Sequence, residues 1–184
     1  MTNPDLMALL QAHGGLSAGL TRFRNGLVSD GWIEKGSLFA TPVTLDRVAA
    51  QQARAVAQAF PDATLLVGAP ACGAVPASAV ARHLGCRVAY VLLQPEAAWH
   101  RMNIPKPPER VVYIDDLICT GQDACLALHF LRQEGHTVLG VSAWISRAAL
   151  SGEQLVTLAP PPFRLLDASE LGPDSTFEFQ DIRE

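Results

Sequence analysis

VVYIDDLICTGQD, residues 111–123, joins four apolar residues to two carboxylates and a short Thr/Gly loop. Val111–Ile114 reads as a buried strand, which Asp115 and Asp116 close. Adjacent side chains of an extended chain point to opposite sides. Two carboxylates at a strand's carboxyl end can accept hydrogen bonds from vicinal hydroxyls or help to hold a divalent cation. Cys119, Thr120, Gly121 and Gln122 follow, directly before a helix expected over 121–134. Gly121 lets the backbone turn tightly, and successive N–H groups at a helix start bind a phosphate without a cationic side chain. Ribose 5-phosphate presents the diol and the phosphate that such a segment would read. On periodicity alone a second reading stands beside this one: the aspartates simply cap the helix, as in many strand–turn–helix segments.

Working outward, strands and helices alternate. Ala63–Val67 and Cys86–Leu93 read as strands on either side of the loop GAPACGAVP and a helix near 75–84. Residues 94–110 form a long loop with four prolines, and Thr137–Ile145 is a further strand after the stop at Gly135. Upstream, residues 3–13 suggest a helix ended by Gly14-Gly15, and 16–43 look irregular. Thr44 is placed as the N-cap of a helix carrying Leu45, Val48, Ala49, Ala53, Val56 and Phe60, with Pro61 as its stop. The Pro-rich tail after Ser151 has no assignment. The pattern is α/β, a mainly parallel sheet flanked by helices, in which ligands gather at the carboxyl ends of the strands.

Composition bounds the function. The chain has 184 residues, 49% of them apolar, enough for one domain with a real core. A formal net charge of −4 with no long basic run argues against nucleic acid as a partner. No apolar stretch is long enough to span a bilayer, and the N-terminus lacks a secretion signal, so the protein is expected in the cytoplasm. Cys72, Cys86, Cys119 and Cys125 form no C-x-x-C pair and are expected to be reduced and mostly buried, which leaves no zinc pattern.

VVYIDDLICTGQDA resembles the phosphoribosyl pyrophosphate (PRPP) motif of the type I phosphoribosyltransferases, with orotate phosphoribosyltransferase the nearest relative. FRNGLVSDGWIEK (23–35) is similar to the N-terminal segment that closes over the base in that family. GAPACGAVPASAVARHLG (68–85) is similar to its pyrophosphate loop and following helix, and VSAWISRA (141–148) to the strand that ends in an Arg near the base. The resemblance implies one phosphoribosyltransferase-like domain over 1–184, with a hood region at 1–43, an α/β core at 44–150 and an unassigned tail at 151–184. It also implies transfer of ribose 5-phosphate from PRPP to a nucleobase with Mg2+, in a homodimer.

By that resemblance Asp115 and Asp116 contact the ribose hydroxyls, directly or through metal. Cys119, Thr120, Gly121, Gln122 and Asp123 wrap the 5-phosphate. Ala71, Cys72 and Gly73 lie under the pyrophosphate, where the family often has a non-proline cis peptide. Arg147 holds the base, and Arg24 and Trp32 line the hood. Read as ordinary structure, Arg147 is a surface charge and Trp32 a core aromatic.

Two departures favour an alternative, a PRPP- or nucleotide-binding regulatory paralogue with weak or no catalysis. The family's hood loop is rich in Lys and Arg, which neutralise the leaving pyrophosphate. Here Gln94, Pro95 and Ala98 stand in that loop, with Glu96 and His100 aligned and Arg101 and Lys106 as substitutes. His100 and Arg101 are carried as catalytic candidates, against the reading of a solvated loop. Asp123 stands where the family has a small or hydroxylic residue. A carboxylate ~5 Å from a dianionic phosphate repels it by several kcal/mol at an effective dielectric of about 20. A water-facing carboxylate in the first helical turn is the alternative for Asp123. Cys119 has no identifiable base beside it and is not read as a nucleophile.

Overall fold

A computed structural model describes residues 5–23, 26–172 and 175–180. In chain order the elements are α1 (Leu6–Ala12), β1 (Leu16–Arg22), β2 (Val28–Ile33), α2 (Gly36–Phe39), α3 (Pro42–Ala59), β3 (Leu65–Gly68), α4 (Ala74–Leu84), β4 (Arg87–Leu92), β5 (Ala98–Trp99), β6 (Arg110–Ile118), α5 (Gln122–Gln133), β7 (Thr137–Ser146), β8 (Leu155–Ala159), β9 (Leu165–Leu166) and β10 (Phe179–Gln180). They divide into two compact units, one of residues 43–160 and one drawn from the described residues before 43 and after 160.

The first unit is built on a six-stranded sheet of order β5-β4-β3-β6-β7-β8, in which only β5 runs antiparallel to its neighbour. Leu65, Leu66 and Val67 are all buried, the continuous apolar run expected of a strand covered on both faces. Along β6 the side chains alternate. Val112 and Ile114 pack with Ala49, Ala53, Val56 and Phe60 of the α3 side, and Val111 and Tyr113 with Ala124, Ala127, Leu128 and Leu131 of α5. At ~25 cal/mol per Å2 of apolar surface, each large side chain buried this way contributes about 1.5–3 kcal/mol.

Three expectations need correction. The strand over 111–114 does not stop at the aspartates; it continues through them to Ile118, paired with β7 along its length. The helix expected from Thr44 begins at Pro42, whose fixed φ and missing N–H suit a first turn, and Thr44 is buried inside it. The region 16–43 is not irregular. β1 and β2 form an antiparallel pair, flanked by β10 and β9 from the C-terminal tail. Gly31, which reads as a turn signal, lies where the Phe163 ring leaves no room for a Cβ. The tail also supplies β8, the sixth strand of the larger sheet. Among the described residues no helix is long and apolar enough to cross a membrane.

At the amino edge of the larger sheet a polar network closes the core. Buried Glu109 is ion-paired with Arg87, and its Oε2 accepts from Thr64 Oγ1 at 2.7 Å. The Glu109 N–H donates to Nδ1 of buried His136 at 3.2 Å, and the Trp99 ring lies edge-on to His136 at 5.5 Å. Burial holds the His136 pKa below its ordinary value, against the opposing charges of Glu109 and Glu134. The unfolded chain therefore binds a proton that the folded one refuses. Stability is fully present above pH 6.5 and falls as the pH drops from there toward the lower folded pKa. Thermal melts across that window should show a declining Tm. His136→Asn, which keeps an acceptor for Glu109 N–H, should flatten the slope; an unchanged slope would count against His136 as its source.

Candidate functional site

Four segments meet at the carboxyl edge of β3, β6 and β7. Asp115 is half-buried and Asp116 is 1% exposed. Asp115 Oδ1 accepts the Asp116 N–H at 3.0 Å, and Asp116 Oδ1 accepts the Leu117 N–H at 2.6 Å. By strand alternation Asp115 shares the α5 side with Tyr113, and Asp116 shares the opposite side with Ile114. Tyr113, two residues before Asp115 and buried in the core, was not singled out by sequence reading. Burial first, then the charges of Asp115, Asp123 and Asp116, push its pKa far up, so its hydroxyl stays protonated beside the carboxylates. The i, i+2 spacing to Asp115 was the available signal.

The loop between β3 and α4 carries a cis peptide at Pro70–Ala71, the non-proline kind that the resemblance implied. It folds on itself through Gly73 N–H and Ala74 N–H, which donate to the Ala69 carbonyl at 3.0 and 2.9 Å. Two glycines allow this. A Cβ on Gly68 would fall on the Gly73 carbonyl, and one on Gly73 would sit 2.9 Å from the Ile114 carbonyl. The loop thereby lies against β6 one residue before the aspartates. Ala71 is exposed, Cys72 half-buried and Gly73 buried.

The loop after β6 turns at Gly121, whose φ of +81° is left-handed. Thr120 Oγ1 accepts the Gln122 N–H at 3.4 Å, and the N-cap residue Gly121 has no side chain with which to cap the rest of the first turn, which makes the start of α5 a candidate anion cup. Cys119 is half-buried; Thr120, Gln122 and Asp123 are exposed. Asp123 sits in the first helical turn and is close enough to act on Tyr113, so its charge bears on the same side as Asp115. The turn after β7 buttresses the cup: Arg147 N–H donates to the Ile118 carbonyl at 2.8 Å, and Leu150 and Ala148 pack against Gly121. Arg147 is half-buried at this edge.

His100 and Arg101 are not brought to the pair. β5 folds back antiparallel on β4, with Val91 opposite Trp99, and His100 N–H donates to the Tyr90 carbonyl at 2.8 Å. Three strand spacings separate β5 from β6, roughly 14 Å. Trp99 pins the hairpin: its Nε1 donates to Glu134 Oε2 at 2.9 Å, and its ring meets Phe130 edge-on at 5.3 Å. Trp32 belongs to the smaller unit, stacked on Phe23 at 6.2 Å, with Nε1 donating to Glu34 at 3.4 Å. Arg24 lies outside the described residues. The cysteines are unpaired as expected but not mostly buried. Cys72, Cys86 and Cys119 are half-buried and Cys125 is exposed, because two sit in the site loops and Cys125 on the outer face of α5.

No model of a known protein family matches the chain. The orotate phosphoribosyltransferase of Methylobacterium sp. (strain 4-46) is 31% identical over 179 residues, covering 95% of this chain and 91% of that protein. The solved orotate phosphoribosyltransferase of Aeropyrum pernix is similar in fold, with a TM-score of 0.71 at 20% identity over 83% of this chain and 91% of that one. A solved adenine phosphoribosyltransferase gives a TM-score of 0.65 at 18% identity over 82% of this chain and 99% of that one. The likenesses to solved structures speak for the fold; identity along nearly the whole length adds the lineage, and the chain belongs to the orotate phosphoribosyltransferase family.

Proposed function

We propose that the protein transfers ribose 5-phosphate from PRPP to orotate or a related nucleobase. One observation carries this reading: the aspartate pair, the Gly68–Gly73 loop and the Gly121 phosphate cup share a single sheet edge. Asp115 and Asp116 accept hydrogen bonds from the ribose hydroxyls. The N–H groups of 119–123 hold the 5-phosphate, Ala71, Cys72 and Gly73 lie under the pyrophosphate, and Arg147 meets the acidic or carbonyl groups of the base. Trp32 and Arg24 are assigned to the hood on resemblance alone. Catalysis rests on positioning and on stabilising charge as the C1–pyrophosphate bond breaks, not on a covalent intermediate.

Among the described residues no three His, Cys, Asp or Glu side chains converge to cage a metal. Mg2+ needs no such cage, since it keeps waters and binds through one or two carboxylates and substrate phosphates. Asp115 and Asp116 fit that part, and the ion would supply neutralisation of the pyrophosphate. A homodimer is part of the proposal, with His100 and Arg101 as hood groups that require movement of the β5 hairpin or delivery by a second copy.

Pyrophosphate release from PRPP with orotate and a panel of other bases is the test. Turnover with orotate is expected. No release with any base, under conditions where an established orotate enzyme works, would overturn the catalytic reading. The pinned hairpin and the exposed Asp123 beside the cup favour the second reading, a binding module without turnover. Calorimetry separates the two: binding of PRPP or a nucleoside monophosphate without turnover supports the module, and no binding of either removes both.

A further inference from the structure

Gln52 is the only polar side chain of α3 that combines 0% exposure with four side-chain contacts reaching the strands at the site edge, among the described residues. Val48 and Ala49 precede it and Val56 follows it on the buried face of the helix, so a leucine would serve packing as well. Instead an amide is buried, and all its bonds go to β6 and β7. Its Nε2 donates to the Ser142 carbonyl at 3.1 Å, to Ser142 Oγ at 3.3 Å and to the Asp115 carbonyl at 3.4 Å. Its Oε1 accepts from Nε1 of Trp144, itself 1% exposed, at 3.1 Å. Ile114 stands opposite Ser142, and Asp115 opposite Ala143, in the parallel β6–β7 pair. One amide thus bridges the two strands at the level where the aspartates emerge.

We propose that Gln52 is a positioning residue for PRPP binding: it helps to fix the Asp115 peptide and with it the direction of the Asp115 carboxylate. The inference rests on the reading of Asp115 as an acceptor for ribose hydroxyls. A buried amide costs desolvation unless every polar atom is bonded, so a purely structural role would be replaceable by an apolar pair of similar volume. A positioning role would not be, because the apolar pair removes the bond from the buried amide to the Asp115 carbonyl.

That difference sets the experiment. Gln52→Met, Trp144→Phe and the double variant are compared with the full wild-type chain by thermal melt, by calorimetry with PRPP, and by KM and kcat. Gln52→Met should lower Tm and raise the PRPP Kd and KM about fivefold, within the range for losing one ordinary neutral hydrogen bond, with kcat changing less. Trp144→Phe should lower Tm and leave Kd within about twofold, since the Nε2 donors remain. In the double variant the Tm losses should be less than additive, because neither partner is left unpaired, while Kd stays raised. A double variant that binds PRPP like the wild type overturns the positioning role. So does a Kd that merely follows Tm across the three variants. Failure of the wild-type chain itself to bind PRPP is a separate result, which removes the functional reading and this role together.

Discussion

Asp115→Asn lowers kcat/KM for PRPP about a hundredfold and leaves Tm close to that of the wild type. The size follows from replacing a charged acceptor: hydrogen bonds to ionised groups are worth about 1.5–3 kcal/mol each, and roughly 2.7 kcal/mol is two factors of ten. The fold is spared because Asn retains an Oδ1 in place of the one that accepts the Asp116 N–H at 3.0 Å. Asp116→Asn should behave differently. Its carboxyl is 1% exposed and bonded to Leu117 N–H at 2.6 Å, so the change acts within the sheet and moves Tm as well as PRPP affinity. Steady-state kinetics and melts on the two variants distinguish these outcomes. Wild-type kcat/KM in Asp115→Asn would remove the carboxylate from the mechanism and leave it a structural role within β6.

Much of the larger unit was legible because its signals are local. Val111–Ile114 is apolar on both faces, Gly121 precedes a helical period, and Gly135 stops it, so strand, cup and helix follow from neighbouring residues. The smaller sheet was hidden because its edges come from far along the chain: Val28 and Ser29 pair with Leu166 and Leu165, and Thr21 with Phe179. No local periodicity announces a partner ~140 residues away, and Gly26, Gly31, Gly36 and Pro42 read as punctuation instead. Gln52 was overlooked for the opposite reason. It lies at i+4 from Val48 and i−4 from Val56, so its helical phase alone put a polar group on the buried face. Such a group must find partners, and it finds them beside the aspartates. The fate of His100 and Arg101 needed the structure, since nothing in LLQPEAAWHRMN signals that Ala98 and Trp99 pair back onto Leu92 and Val91.

Gly121→Val abolishes measurable PRPP binding and lowers stability by about 2–5 kcal/mol, the sum of two costs that can be measured apart. The first is conformational. Gly121 has a φ of +81°, and an L-residue there costs about 1–2 kcal/mol, more for a β-branched one. The second is steric: a Cβ at Gly121 would stand 2.7 Å from Leu150 Cδ2, and Leu150 is a buried core residue that cannot swing into water. Gly152 provides the reference, with a φ of +76° and nothing within 4 Å of a built Cβ. Gly152→Ala therefore reports the conformational cost alone, and the excess in Gly121→Ala reports the clash. Adding Leu150→Ala should return part of that excess, since the obstructing methyl is gone, at the expense of a cavity under the loop. PRPP binding should not return with it. The cup works through the directions of successive N–H groups at the start of α5, and a side chain at 121 that shifts this strained turn re-aims them whether or not the core beneath has room. Calorimetry on Gly121→Ala/Leu150→Ala decides the point: recovered stability with recovered PRPP affinity would mean that packing against Leu150, not backbone direction, is what Gly121 protects.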